Sequence, residues 1–204
     1  MNTSVFNAGI IILAAGSSRR LGQPKQWLSM GSSHLLGHTV QQALVTQWHP
    51  VVVVAAPGLD RSLLPTDMLQ QVHWVQNDAC EEGMASSIRA GLYYLQQQAP
   101  HLQAAAVLVC DQPFLSTAVL LQLAQLLQSQ PYSMVACSYA GRRGTPAIFC
   151  RQHWPALLNL QGDTGARPML ANAGHELGVL SFEQGAADID TWEDYEKWVK
   201  NNAY

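Results

Sequence analysis

Three groups of residues in this 204-residue chain have types and spacings suited to phosphate chemistry. In the first, residues 10–25 read IIILAAGSSRRLGQPK: a β-branched apolar run stops abruptly at small residues, followed by Arg19, Arg20, Gly22 and Lys25. Ala14, Ala15 and Gly16 add no bulk, so the backbone amides of such a loop can approach an anion while the arginines and lysine offset its charge. A polyphosphate is the natural guest. The second is Asp111, which follows the apolar run 104–110, with Pro113 forcing a turn. At the carboxyl end of a central strand, Asp111 faces the place where open α/β sheets bind ligands. A triphosphate is handled as its Mg2+ complex, and a hard cation needs carboxylate oxygen nearby, although an aspartate after a strand is also an ordinary turn former. The third is the pair Asp188 and Asp190 in ADIDTWEDY: two apart on a strand they share a face, and one of them would complete a metal site. Thr191, Glu193 and Asp194 read as a helix start with acid near its positive end, and the N-cap reading of either aspartate stands beside the metal reading.

Other chemistries fit less well. A P-loop needs four residues between its glycines and Lys-Ser/Thr directly after the second; here five separate Gly16 from Gly22 and the lysine comes three later. The closely spaced glycines of a dinucleotide fingerprint are missing too. A net charge of −3 offers no broad basic surface for nucleic acid, so positive charge acts locally on a small ligand. No apolar run approaches the ~20 residues that cross a bilayer, and MNTSVFNAG lacks the regions of a signal peptide, which predicts a cytoplasmic protein without membrane contact. Cys80, Cys110, Cys137 and Cys150 are widely spaced and read as reduced, structural thiols. His34 and His38 have zinc-helix spacing, yet lack the following Glu and enclose Gly37, which favours a surface or turn role.

These groups need a scaffold that brings strand ends together. Residues 51–56, 72–75, 104–110 and 133–138 read as strands, the first a continuous β-branched run covered on both faces, and residues 147–150 as an apolar run after a tight basic turn at 141–144. Residues 35–46, 63–71, 83–97 and 115–128 read as helices, the last opening at Ser116 or Thr117. Ser86 and Ser87 lie in the first turn of the helix at 83–97, where free N–H groups favour an anion or hydroxyl, unless the helix is simply capped. Strands alternating with helices predict an α/β, three-layer domain spanning residues 1–204, with a mostly parallel central sheet and the cleft at its carboxyl edge. No repeat, low-complexity segment or linker divides it.

The first stretch resembles the signature of MobA-like nucleotidyltransferases, L-A-A/G-G-x-S-x-R-x-G-x-x-K, matched by Leu13, Ala14, Ala15, Gly16, Ser18, Arg20, Gly22 and Lys25. Further segments resemble the same family in order: Asn77, Gly83, Met84, Ser86 and Ser87 its N-x-x-x-x-x-G-M-x-x-S segment, CDQP its metal-binding turn, R-G-T-P-A-I-F its G-x-P-x-x-F strand, and ADIDTWED its tail, with Trp192 for the usual proline. Gly162, Asp163, Gly165, Ala166 and Arg167 match the G-D-x-G-A-R segment of the molybdopterin cytidylyltransferase branch. The resemblance implies a nucleotide-diphospho-sugar transferase fold. It implies a nucleotide pocket at Leu13, Ala14, Ala15, Gly16, Ser17, Ser18, Asn77, Gly83, Ser86 and Ser87. Lys25, Arg20 and Asp111 become catalytic, and Mg2+ is held by Asp111 and Asp190, with Asp188 the second choice. Gly144, Pro146, Asp163, Gly165 and Arg167 border the acceptor, while Arg142, Arg143 and Arg167 also read as solvated surface charges. The expected reaction is CMP transfer from CTP to the terminal phosphate of molybdopterin, the product passing to a molybdoenzyme or its chaperone. Ala15 stands where guanylyl-transferring relatives carry glycine, which favours CTP over GTP. A GTP or sugar-phosphate nucleotidyltransferase is the alternative within enzymes, and a non-catalytic nucleotide-binding cofactor carrier the alternative outside them.

Overall fold

The computed structural model describes residues 6–18 and 20–202. In chain order the elements are strand β1 (Ala8–Ala14), a small hairpin of β2 (Ser29–Met30) and β3 (Ser33–His34), helix α1 (Leu35–Val45), β4 (Val51–Ala55), α2 (Thr66–Leu69), β5 (Val72–Gln76), α3 (Met84–Gln98) and β6 (Ala104–Val109). They continue with α4 (Thr117–Ser129), β7 (Met134–Tyr139), β8 (Arg142–Cys150), α5 (Trp154–Leu158), α6 (Arg167–Asn172), β9 (Leu177–Ser181) and α7 (Trp192–Asn202). Among the described residues, seven strands form one sheet in the order β5-β4-β1-β6-β8-β7-β9. Pairings β1 with β4, β1 with β6, β4 with β5 and β7 with β9 are parallel, whereas β8 runs antiparallel to both of its neighbours. The predicted mostly parallel sheet with helices on both faces is the fold observed.

The alternation of side chains along β1 explains the three layers. Ile10 and Ile12 belong to a core with Leu36, Val40 and Ala43 of α1 and Leu120, Leu123 and Leu127 of α4. Ile11 and Leu13 belong to the opposite core, with Ile88, Leu92 and Leu95 of α3 and Trp154 and Leu157 of α5. Each helix presents apolar residues three and four apart to the sheet. Burying each such Leu or Ile contributes about 1.5–3 kcal/mol against chain entropy. Gly91 permits the close seating of α3, since a Cβ there would lie 2.5 Å from Ile11 Cγ2.

Two expectations are corrected. Residues 187–190 are irregular, not a strand, so Asp188 and Asp190 are not placed by strand alternation. The basic stretch 141–144 is mostly strand: the turn is Ala140-Gly141, both at positive φ as a two-residue hairpin requires, and Arg142 already pairs with Tyr139. Strand β9, short and polar at its far end, has no counterpart among the expected elements. Among the described residues, no helix is long and apolar enough to cross a membrane. All four cysteines are free thiols.

Candidate active site

Strand register brings the expected residues to one edge. Ala14, Ala55 and Gln76 are register partners across β1, β4 and β5, and Leu13 pairs with Val109 of β6. The loop after β1, Asn77 after β5 and Asp111 after β6 therefore leave the sheet side by side.

Lys25 is the hub. Its Nζ donates to Asp111 Oδ2 at 2.6 Å and to Asp190 Oδ1 at 2.8 Å, while an Arg20 guanidinium nitrogen lies 3.3 Å from Asp190 Oδ2. The Lys25 side chain is 12% exposed and Asp111 19%, but Arg20 is 73% exposed and stands at the rim. Burial alone would lower the lysine's pKa; the Asp111 charge and the bonds to both carboxylates outweigh it and raise the value above the ordinary 10.5. The ammonium stays charged. Arg19 lies outside the described residues.

The loop is shaped by two residues. Ser18, at φ +47°, accepts the Lys25 backbone N–H on its Oγ at 3.0 Å and that of Leu21 on its carbonyl. Gln26 is buried beneath the loop and donates from Nε2 to Ala14 O at 2.5 Å, with Gly16 O at 3.5 Å. Leu13, Ala14 and Ala15 are buried at the strand end, whereas Gly16 and Ser17 are exposed above it.

Asp190 arrives from the far end of the chain. Ile189 N donates to Asp111 O at 3.1 Å, and the Ile189 side chain packs with Leu21, Leu28 and Leu35. Thr191 and Asp194 bond reciprocally, Asp194 N to Thr191 Oγ1 at 3.2 Å and Thr191 N to Asp194 Oδ2 at 2.9 Å, so the start of α7 is a capping box. Trp192 donates its indole N–H to Leu21 O at 3.0 Å, tying the helix to the basic loop. Asp188 faces the same group: burial raises its pKa, its own backbone bond opposes this, and the charges of Asp111 and Asp190 add to the rise.

The start of α3 differs from the free anion-binding end that sequence suggests. Met84 N donates to Asp163 Oδ1 at 3.3 Å and Ala85 N to Gly162 O at 3.1 Å. Gly83, at φ +115°, could carry no Cβ, which would lie 2.7 Å from the Gly162 backbone. Ser86 and Ser87 are buried and accept from Asn77 Nδ2 at 2.8 and 3.0 Å.

Beyond Asp111 a cavity of ≈ 140 Å³ opens between β6, β8 and α6, lined by Asp111, Gln112, Tyr139, Arg143, Arg167 and Asp188 among others. Gly144 lines it as well, whereas Pro146, Asp163 and Gly165 do not. Where β7 and β8 pair, Ala136 faces Ala147 but Cys137 faces Gly144, leaving Thr145 and Pro146 as a bulge. Gln112 Nε2 donates to Thr145 O and to Gly185 O, both at 3.0 Å, joining bulge to strand end.

Gln26 and Gln112 are the site residues that sequence reasoning did not single out, and Trp192, noted there only as a replacement for proline, ties α7 to the basic loop. A polar residue directly after Lys25, and another directly after Asp111, were the available signals; only burial distinguishes them from surface glutamines. Among the described residues, no three His, Cys, Asp or Glu side chains cluster to hold a metal. Asp111 and Asp190 around an ammonium are nonetheless hard oxygen donors enclosing positive charge. One or two carboxylates are what Mg2+ takes from a protein when phosphates and water complete its shell.

Comparison with known proteins identifies the family and the fold. Residues 10–177 match the MobA-like NTP transferase domain. The chain is 27% identical over 197 residues to the purine catabolism protein PucB of Bacillus subtilis (strain 168), covering 91% of this chain and 93% of PucB. The crystal structure of the Rv0371c homolog from Mycobacterium sp. strain JC1 superposes with a TM-score of 0.78 at 26% identity, covering 96% of each chain. Mycobacterium tuberculosis Rv0371c in complex with manganese shares the fold, with a TM-score of 0.77 at 24% identity over 95% of this chain and 98% of that one. Because residues 10–177 match that domain, the chain belongs to the MobA-like NTP transferase family and is a nucleotidyltransferase.

Proposed function

We propose that this enzyme transfers CMP from CTP to the terminal phosphate of the molybdenum cofactor, molybdopterin, releasing pyrophosphate. The observation that carries the transfer chemistry is Lys25 held between Asp111 and Asp190 with Arg20 at the rim. Two anions must meet, and their repulsion is the obstacle. In this reading Lys25 neutralises the α-phosphate, while Arg20 and the amides of residues 14–18 hold the leaving pyrophosphate. An acceptor phosphate oxygen forms a bond to the α-phosphorus in line with the bond that breaks, whose electron pair leaves with pyrophosphate. No general base is needed, because a phosphate monoester is already nucleophilic. Gly16 supports a ligand over this loop: a Cβ there meets nothing within 4 Å and its φ lies outside the left-handed region, so neither crowding nor backbone explains the glycine.

Asp111 and Asp190 are the residues that would hold a divalent cation, with Asp188 beside them. When bound, it supplies further charge neutralisation to the triphosphate. A mycobacterial protein of this fold has been crystallised with manganese, and the triphosphate chemistry favours Mg2+ here.

The acceptor and base rest on the G-D-x-G-A-R segment and Ala15, supported by Gly144 and Arg167 at the cavity beside Asp111. The same resemblance would set Pro146 and Gly165 on the acceptor side, and a molybdoenzyme or its chaperone would receive the product. The test is a screen of the four triphosphates against molybdopterin and sugar phosphates with Mg2+, following pyrophosphate. Release with CTP and molybdopterin is expected. Release with GTP or a sugar phosphate instead would replace this substrate pair, and CTP binding without release under any acceptor would make the protein a carrier.

A further inference from the structure

The segment 160–165 is bonded to the start of α3 by more than proximity. Gly162 O accepts from Ala85 N at 3.1 Å and Asp163 Oδ1 from Met84 N at 3.3 Å, filling two of the amide positions that a helix start leaves open. Arg89 reaches across from α3, donating to Leu160 O at 2.6 Å and pairing through both nitrogens with the Glu82 carboxylate. Gly83 and Gly165 allow the backbones to meet: a Cβ on the first would strike the Gly162 backbone at 2.7 Å, and one on the second Met84 Sδ at 2.6 Å. One turn further along α3, Ser86 and Ser87 bond Asn77 at the end of β5. A chain of hydrogen bonds therefore runs from Asp163 through the helix start to Asn77. Of the charged residues in GDTGAR, Arg167 lines the cavity beside Asp111 and Asp163 does not.

We infer that Gly162 and Asp163 are positioning residues for the nucleotide side of the site, and that Arg167 is the charged residue of this segment that meets the acceptor phosphate. The inference rests on the proposed nucleotidyl transfer but divides its motif in a way the resemblance does not. Asp163 acts through the α3 amides. Its loss lets the first turn fray and displaces Ser86, Ser87 and Asn77 together, whereas loss of Arg167 removes charge from the acceptor cavity and leaves the helix start intact.

The experiment measures nucleotide affinity by equilibrium titration without acceptor, and acceptor KM separately, in the full chain. Asp163→Ala should weaken binding of the preferred triphosphate about five- to tenfold, the usual cost of a lost cap, with acceptor KM unchanged. Asp163→Asn, whose amide oxygen still accepts, should restore affinity to near the starting value. Arg167→Ala should raise acceptor KM and leave nucleotide affinity alone. If Asp163→Ala does not fold, Arg89→Lys loosens the same brace without removing its charge and should also weaken nucleotide binding. A raised acceptor KM with intact nucleotide affinity in Asp163→Ala, an Asn variant as impaired as Ala, or full nucleotide affinity in a folded Arg89→Lys would each overturn the inference. Starting protein that binds none of the four triphosphates would instead refute the proposed function, and the inference with it.

Discussion

Replacing Lys25 with methionine keeps the aliphatic stem and removes the one ammonium between two carboxylates. Its contacts of 2.6 and 2.8 Å, laid end to end, put Asp111 Oδ2 and Asp190 Oδ1 no more than about 5.4 Å apart. At an effective dielectric of about 20, unit charges at that separation repel by about 3 kcal/mol. Asp190 is 34% exposed, and solvent screening reduces the repulsion to about 1–2 kcal/mol. For a chain of this size that is a fall in Tm of about 2–8 °C in metal-free buffer. The same reasoning gives a second, opposite effect: with the ammonium gone, a divalent cation meets two unpaired carboxylates, so millimolar Mg2+ or Mn2+ should raise the variant's Tm more than that of the starting protein. Turnover should nevertheless fall by about 10²–10³, because the contact to the α-phosphate is lost. Thermal unfolding with and without cation, beside pyrophosphate release, reads all three. A variant with unchanged Tm, no added response to cation and normal turnover would falsify the view that one lysine links the two acids.

Asp111→Asn should lose turnover by at least about 10² while circular dichroism stays native, because the amide neither pairs fully with Lys25 nor offers a charged oxygen; undiminished activity would remove Asp111 from the reaction. Gln26→Glu should be more damaging than Gln26→Leu, since a carboxylate has no N–H for Ala14 O and would face that oxygen across 2.5 Å. About 1–3 kcal/mol of stability and a raised nucleotide KM are expected for Gln26→Glu, and equal behaviour of the two variants in unfolding and kinetics would refute the role given to the amide donor. Burial lowers the His38 pKa below 6.5, opposed in part by its bond to Leu115 O at 2.8 Å. As pH falls, the unfolded histidine protonates first, so stability present above 6.5 declines below it; His38→Gln should flatten the fall of Tm with decreasing pH below about 6.5, and an unchanged curve would refute this.

Legibility in the sequence followed the range of the interaction. The apolar runs at 10–13, 51–56 and 104–110 and the amphipathic spacings of α3 and α4 are local signals, and those elements formed within a residue or two of their expected bounds. Ser116 accepts the Val119 amide as a helix cap should. From the sequence, Trp192 is marked only as standing where the family carries proline. Its indole bonds Leu21 O, a partner 171 positions away that no local pattern names. The acids at 188 and 190 were expected on a strand because alternating residues suggest one, yet the segment is irregular. What places Asp190 is the Ile189 side chain in the Leu21, Leu28 and Leu35 cluster and the Ile189 amide on Asp111 O.

Sequence alone determined the strand that ends in small residues, the cationic loop after it and the aspartate closing β6, because backbone sterics and apolar periodicity act over a few residues. Tertiary structure alone decided that Asp190 meets Lys25 from the opposite end of the chain, that Gly162 and Asp163 cover the amides of α3, and that β8 runs against its neighbours. Those outcomes depend on which faces pack and which buried polar groups find partners, and both are properties of the whole chain.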